Sequence, residues 1–337
     1  MVSLNILDYS PIYEGSNARE ALLHTRELAH LADRLGYHRY WVAEHHHVFS
    51  VAGSTPEMLM MQLAATTNQI RIGSGGVMLP HYSPYKVAEN FRMLEAFHPN
   101  RIDLGIGRSP SFRLVNKALN EARDKRLPYE QQVQDLYKYF TDNTTEDHRF
   151  QELIATPVIE TTPEIWMLGS GTGGAKVAAA TGSAYAFAQF GFPSYAGLDV
   201  VNDYREHFQP SALLNKPKVM IAVFAIIAET TEEAAEIAQA FDLWLLSIEP
   251  STGNQPPYYP SVETAKARGL SSFEEEQVRK NRKRAIIGNP EEVKKGIENV
   301  SYHYQADEIT IIPHFYDTQN RMKGIELLAE AFGLEPN

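Results

Sequence analysis

Short apolar runs alternate with longer stretches of helical periodicity from almost the first residue of this chain, and no other feature constrains its fold as strongly. Leu4 to Asp8 reads as a strand. Asn17 then precedes Glu20 at capping-box spacing, and Ala21, Thr25, Leu28, Leu31 and Leu35 recur at helical intervals before Gly36 stops the helix. The same unit repeats. Further strands are expected at Tyr40–Ala43, Ile70–Val77, Ile102–Ile106, "IWML", "AYAFAQF", Lys218–Ile227 and Glu308–Ile312. Helices are expected to open with a cap and first-turn proline at Thr55-Pro56, to start at Ser83-Pro84, to cover Leu127–Phe140 and "GAKVAAATG", and to span about 194–207, 232–245 and 319–332. Eight strands alternating with eight helices predict a closed (β/α)8 TIM barrel rather than an open doubly wound sheet, in one domain spanning 1–337. One stretch breaks the repeat: residues 250–284, rich in Pro, Gly, Tyr and charge, predict a mobile lid inserted before the last strand and passing over the barrel mouth.

Composition narrows the class of ligand. The net charge is −11, from 42 acidic and 31 basic side chains, which argues against nucleic acid or an anionic membrane surface as partner and favours a small molecule. There is no cysteine, so disulfides, thiolate zinc sites, iron–sulfur clusters and a cysteine nucleophile are excluded together, and a reducing cytoplasm fits. No apolar run approaches the roughly 18 residues of a membrane span, and the chain opens without a basic stretch before an apolar run. A soluble, unprocessed, cytoplasmic protein is expected.

Barrel enzymes place their chemistry at the C-terminal ends of the strands. Strand two ends there in Glu44-His45-His46-His47, strand three in "GSGGVMLPHY", strand four in "GIGRSP", strand five in "LGSGTGG" and the last strand in "PHF". Glycine weakens a strand, so Gly75-Gly76 and Gly105-Ile106-Gly107 mark either tight packing at the rim or the close approach of a broad planar ligand. The turn Gly169–Gly174 joins an apolar strand to a helix and offers free backbone N–H groups suited to phosphate. It matches G-x-G-x-x-G, but Gln189 and Phe190 stand where a dinucleotide fold needs an acidic residue, so a monophosphate fits better. Arg108, just beyond strand four, could complete such a cradle. For the histidines three readings compete. A metal needs about three convergent ligands, and alternation along a strand lets only His45 and His47 aim together. A structural histidine could bond Glu44. An acid/base histidine facing a ligand is preferred.

The ordered set "WVAEHHH", "RIGSGGVMLPHYSPYKVAENFRMLEAFHPNRIDLGIGRSP", "LGSGTGGAKVAA" and "IIGNPEEVKKGI" resembles the bacterial luciferase-like flavin monooxygenases, closest to their single-chain, non-luminescent branch, from residue 3 to about 334. The resemblance implies the same (β/α)8 barrel and FMN taken up reduced from a separate NAD(P)H-dependent flavin reductase. It also implies O2 and a small organic substrate as co-reactants, oxygen transfer through a flavin C4a-hydroperoxide, and a homodimer. His45 matches the family's catalytic histidine, Glu44 its acidic neighbour, and His46 would shape their environment. Gly75-Gly76 falls where the family has a non-prolyl cis peptide beside the flavin ring. Arg108, Arg126, Ser170, Gly171, Thr172, Gly173 and Gly174 match the phosphate-binding positions. Gly107 replaces a reactive cysteine next to the flavin, and Gly169 an acidic residue. The first departure argues against a long-chain aldehyde substrate and light emission. An F420-dependent hydride transfer in the same barrel, a non-catalytic flavin-binding protein and a metal hydrolase are the rival expectations.

Overall fold

The computed structural model describes residues 2–109, 111–121, 127–143, 147–191, 197–248 and 256–336. Eight parallel strands close a ring: β1 (Ser3–Asp8), β2 (Arg39–Val42), β3 (Arg71–Met78), β4 (Ile102–Gly107), β5 (Glu164–Gly169), β6 (Ala184–Ala188), β7 (Val219–Ile227) and, beyond an additional strand β8 (Ala285–Gly288), β9 (Glu308–Ile312). Neighbours pair in chain order from β1 to β7, and β9 closes the ring between β7 and β1. The chain is thus a TIM barrel, as the alternation predicts.

Pleating explains which residues face where, because successive side chains on a strand point to opposite sides. Along β7, Val219, Ile221, Val223, Ala225 and Ile227 join the large apolar cluster under the surrounding helices. Met220, Phe224 and Ile226 instead join Leu7, Trp41, Trp166 and Ile312 in a second cluster inside the barrel. A strand buried on both faces reads as the unbroken run "VMIAVFAII".

The lowest layer of the interior is ionic. Arg39 of β2 meets Asp103 of β4 at 2.7 Å, Glu164 of β5 at 2.7 Å and Glu308 of β9 at 2.7 Å, strands that are not its neighbours, so these bonds cross the lumen. Arg71 reaches Asp103 at 2.6 Å, and Lys218 reaches Glu308 at 3.0 Å. Three cations balance three anions. Burial would raise the Asp103 carboxyl, but Arg39 and Arg71 outweigh it and hold it below its ordinary value. Against burial, the Arg39 hydrogen bond and charge and then Lys218 hold Glu308 down to about 2.

The structure adds elements that the periodicity does not show. The expected eight strands become nine, and the described residues contain twelve α-helices. Helix Arg113–Leu119 buries none of its residues, so no apolar spacing marks it. Helix Pro290–Tyr304 follows β8 and begins with a capping box between Asn289 and Glu292, a signal present in "GNPEE". The fourth expected helix starts at Tyr129, after Pro128, and β6 stops at Ala188, where Gln189–Gly191 turns into a short 3-10 helix. Thr55 and Ser83 precede their helices without side-chain capping bonds, so the prolines alone mark those starts.

Residues 250–255 lie outside the described part of the chain, but the rest of the 250–284 excursion holds two helices, Val262–Arg268 and Ser272–Arg282. Tyr259 is buried and fixes this segment to the barrel mouth. Its N–H donates to the Ile12 carbonyl at 2.6 Å and its hydroxyl to the His314 carbonyl at 2.9 Å. Arg282 pairs with Asp242 at 2.6 Å.

Candidate active site

The histidine run does not stay on one face. β2 ends at Val42, and the His45 N–H bonds the Gly53 carbonyl at 2.8 Å, which turns the ring toward the barrel axis against Tyr9, with centroids 4.8 Å apart. His45 Nδ1 is buried and has no hydrogen-bond partner. Burial, and then the neighbouring His46, push the imidazole down to about 4, so it is neutral across the physiological range.

His46 turns instead to the buried Glu44, Nε2 to Oε1 at 2.7 Å. The same carboxylate accepts the Tyr82 hydroxyl at 2.9 Å and the Met78 N–H at 3.0 Å. The bond to Glu44 expected of a structural histidine therefore falls to His46, and leaves His45 to face the barrel mouth. His47 has a left-handed backbone, φ 56°, and is exposed beside Phe49 and Phe112. It does not aim with His45, contrary to strand alternation, because the strand has already ended at Val42. Among the described residues no group of three or more His, Asp or Glu is arranged to hold a metal ion.

Most of the strand-end glycines are accounted for by neighbouring protein atoms. A Cβ on Gly105 would lie 2.1 Å from the Ser74 carbonyl oxygen, one on Gly76 2.6 Å from the Gly105 carbonyl oxygen, and one on Gly75 2.6 Å from Leu7 Cδ1. Tight packing of β3 on β4 accounts for Gly76 and Gly105, whereas at Gly75 the crowding atom is the end of the Leu7 side chain from β1. The Gly75–Gly76 peptide is cis. At Gly107 the crowding atom is the flexible end of Met78, 2.3 Å from such a Cβ.

Between β4 and β5 the residues expected to bind a phosphate meet around one cleft. Arg108, Ser109 and residues 168–174 line a cleft of about 310 Å³. The Arg108 guanidinium lies over Gly173, where a Cβ would come within 2.7 Å of Nη1. Helix Thr172–Thr181 starts here with Gly171 as N-cap and no side-chain capping bond, so its first turn brings backbone N–H groups to the cleft. Ser170, Gly171, Thr172, Gly173, Gly174 and Arg108 thus come together; Arg126 lies outside the described residues.

The sequence reading missed Tyr82, although "PHYSP" directly follows β3, and it noted "PHF" without assigning a role to its histidine. His314 is 1 % exposed and sits beyond the end of β9 among Tyr9, Phe224, Trp244 and Tyr259, with ring centroids 5.2, 6.4, 4.2 and 4.8 Å away.

A family profile described as luciferase-like monooxygenase matches residues 6–306. Uncharacterized protein YwcH of Bacillus subtilis (strain 168) is 43% identical over 334 residues, 98% of this chain and 99% of its own. The N-acetyl-S-alkylcysteine monooxygenase of the same organism is 35% identical over 98% of each chain. The crystal structure of apo-MsnO8 superimposes with a TM-score of 0.89 at 34% identity, covering 100% of this chain and 99% of that one. Two more distant structures share the fold. The oxygenating constituent of 3,6-diketocamphane monooxygenase from Pseudomonas putida, in complex with FMN, has a TM-score of 0.71 at 17% identity over 98% of both chains. An F420-dependent secondary alcohol dehydrogenase has a TM-score of 0.68 at 14% identity, covering 100% of this chain and 99% of that one. With the family profile matched over residues 6–306 and a monooxygenase relative 35% identical over 98% of the chain, the chain belongs to the luciferase-like monooxygenase family.

Proposed function

We propose that this enzyme is an FMN-dependent, two-component monooxygenase, and the observation that supports this best is the cradle formed by Arg108 and the N-terminal turn of helix Thr172–Thr181. Its donors are backbone N–H groups and a guanidinium, the set that suits a phosphate monoester. The FMN bound by the 3,6-diketocamphane monooxygenase constituent supports the same choice of cofactor. When bound, reduced FMN supplies the electrons that activate O2. Everything else falls to the protein.

Arg108 and the Ser170–Gly174 turn would hold the phosphate. His45, neutral and without a partner at Nδ1, exchanges a proton at a ring nitrogen with the reacting centre. Glu44 does not touch that centre; by fixing His46, Tyr82 and the Met78 N–H it holds the wall beside His45 in place. Residues 250–284 act as the cover that keeps water out. A separate NAD(P)H-dependent reductase delivers the flavin, and the enzyme works as a cytoplasmic homodimer. No helix among the described residues is long and apolar enough to cross a membrane.

Anaerobic titration tests the cofactor. Reduced FMN is expected to saturate, with riboflavin weaker for lack of a phosphate; binding of F420 without FMN would assign the barrel to hydride transfer instead.

A further inference from the structure

The barrel mouth contains a second set of polar atoms that the flavin reading does not use. Both ring nitrogens of His314 are buried without a hydrogen-bond partner, and so is Trp244 Nε1, whose ring lies 4.2 Å from the imidazole between centroids. Tyr9 stands between the two histidines, 4.8 Å from the His45 ring and 5.2 Å from that of His314. Leaving a buried donor or acceptor unpaired is costly, so each such group calls for a partner. A core that needed only packing could place Leu or Phe here, as the neighbouring Phe224 and Phe315 show.

The charges nearby are already matched. Asp8 is bound to Arg321 at 2.6 Å and to Thr25 and Tyr40, while Asp242 is bound to Arg282 at 2.6 Å. Burial, with Arg321 and His45 in support and only Asp8 opposed, keeps the His314 imidazole far below its ordinary value, hence neutral. A neutral imidazole presents one N–H, and the indole presents another. Two donors in an aromatic enclosure without free charge suit an uncharged molecule with an apolar body and one oxygen that accepts two hydrogen bonds.

We propose that His314 and Trp244 form the substrate subsite of this barrel, on the β7–β9 side opposite the phosphate cradle, and that they hold the carbonyl oxygen of a neutral, largely apolar ketone, ester or amide. The assignment rests on the monooxygenase reading above and names its substrate class. Tyr9, shared by the two rings, fixes the distance between the anchored carbonyl and His45. The carbonyl is anchored there, whichever atom of the molecule is oxygenated.

The test uses the full chain, with and without reduced FMN under anaerobic conditions, and three probes of similar shape: cyclohexanone, methylcyclohexane and cyclohexylammonium. Saturation-transfer NMR and tryptophan fluorescence read binding. Cyclohexanone is expected to bind about tenfold more tightly than methylcyclohexane, the discrimination of one to two hydrogen bonds, and the cation not at all. H314L should abolish the preference for the ketone while retaining the hydrocarbon, H314Q should recover most of it, and W244F should weaken it about threefold. Circular dichroism checks each variant for folding, and W244F and H314Q stand in if H314L does not fold. A ketone preference that survives H314L and W244F, or its absence from the wild-type protein in both conditions, overturns the assignment and leaves an internal water as the partner of these nitrogens. Binding of FMN, titrated separately on the wild-type chain, fails or succeeds independently of this ranking, so loss of the cofactor reading and loss of the subsite are told apart.

Discussion

The two poles of the barrel bury polar side chains for opposite ends. At the N-terminal pole Arg39, Arg71, Lys218, Asp103, Glu164 and Glu308 neutralise one another across the lumen at hydrogen-bond distance. At the C-terminal pole His45, His314 and Trp244 hold nitrogens that find no protein partner. Arg39 and Glu308 lie at the starts of β2 and β9, His45 and His314 just beyond the ends of those two strands, and Trp244 on helix Thr231–Ser247. A polar group that the protein itself satisfies fixes the fold. One that it leaves unsatisfied at the mouth is available to a ligand, and each pole can be perturbed without the other.

The largest effect is expected at the ionic pole. Asp103→Ala leaves Arg39 and Arg71 without their shared carboxylate and should cost about 3–5 kcal/mol in chemical denaturation, the usual result of stranding a buried charge. A loss below about 1 kcal/mol would mean that the lumen admits water and that the contrast between the poles is false.

At the opposite pole His45→Ala should do the reverse. Stability and FMN affinity should stay close to wild type, while the yield of oxygenated product falls about a hundredfold and oxygen uptake continues as hydrogen peroxide. Parallel loss of folding would place His45 with the structural residues.

The phosphate cradle should respond more mildly. Arg108→Ala removes one of several donors and should weaken reduced FMN about tenfold with little effect on riboflavin. Equal losses for both ligands would put the phosphate elsewhere.

Acid should separate the poles by pH. His45 is neutral in the fold and its pKa is depressed to about 4, so its contribution is present above its unfolded value near 6.5 and is lost as pH falls toward 4. Glu308, depressed to about 2, keeps its contribution above the unfolded value near 4.5 and loses it as pH falls toward 2. Each slope is at most about 1.4 kcal/mol per pH unit. His45→Ala should flatten the upper window alone, and a variant that flattens both would show that the two titrations are coupled.

The ring of strands was legible because its residues obey a period of two and its helices one of 3.6. The Gly169–Gly174 turn was legible because glycines next to a helix start have a local signature. The ionic layer was not. Arg39, Asp103 and Glu308 each sit at or near the start of an apolar strand, where one charge looks like a boundary, and only closure of the ring brings them together. His45 could be singled out from its neighbourhood, but its separation from His46 depended on Tyr82 and Met78, more than thirty residues away. His314 and Trp244 lie 70 positions apart and meet only in the fold.

One strand is longer than the ring requires. β7 gives residues 220–224 to β9 and residues 224–227 to β8, so its far half is a ledge that carries β8 beside the ring. The ring closes without β8, because β9 returns to the near half of the same strand. Helices Val262–Arg268 and Ser272–Arg282, which lead into β8, therefore hang on an edge that the barrel does not need, and changes in them need not disturb its closure.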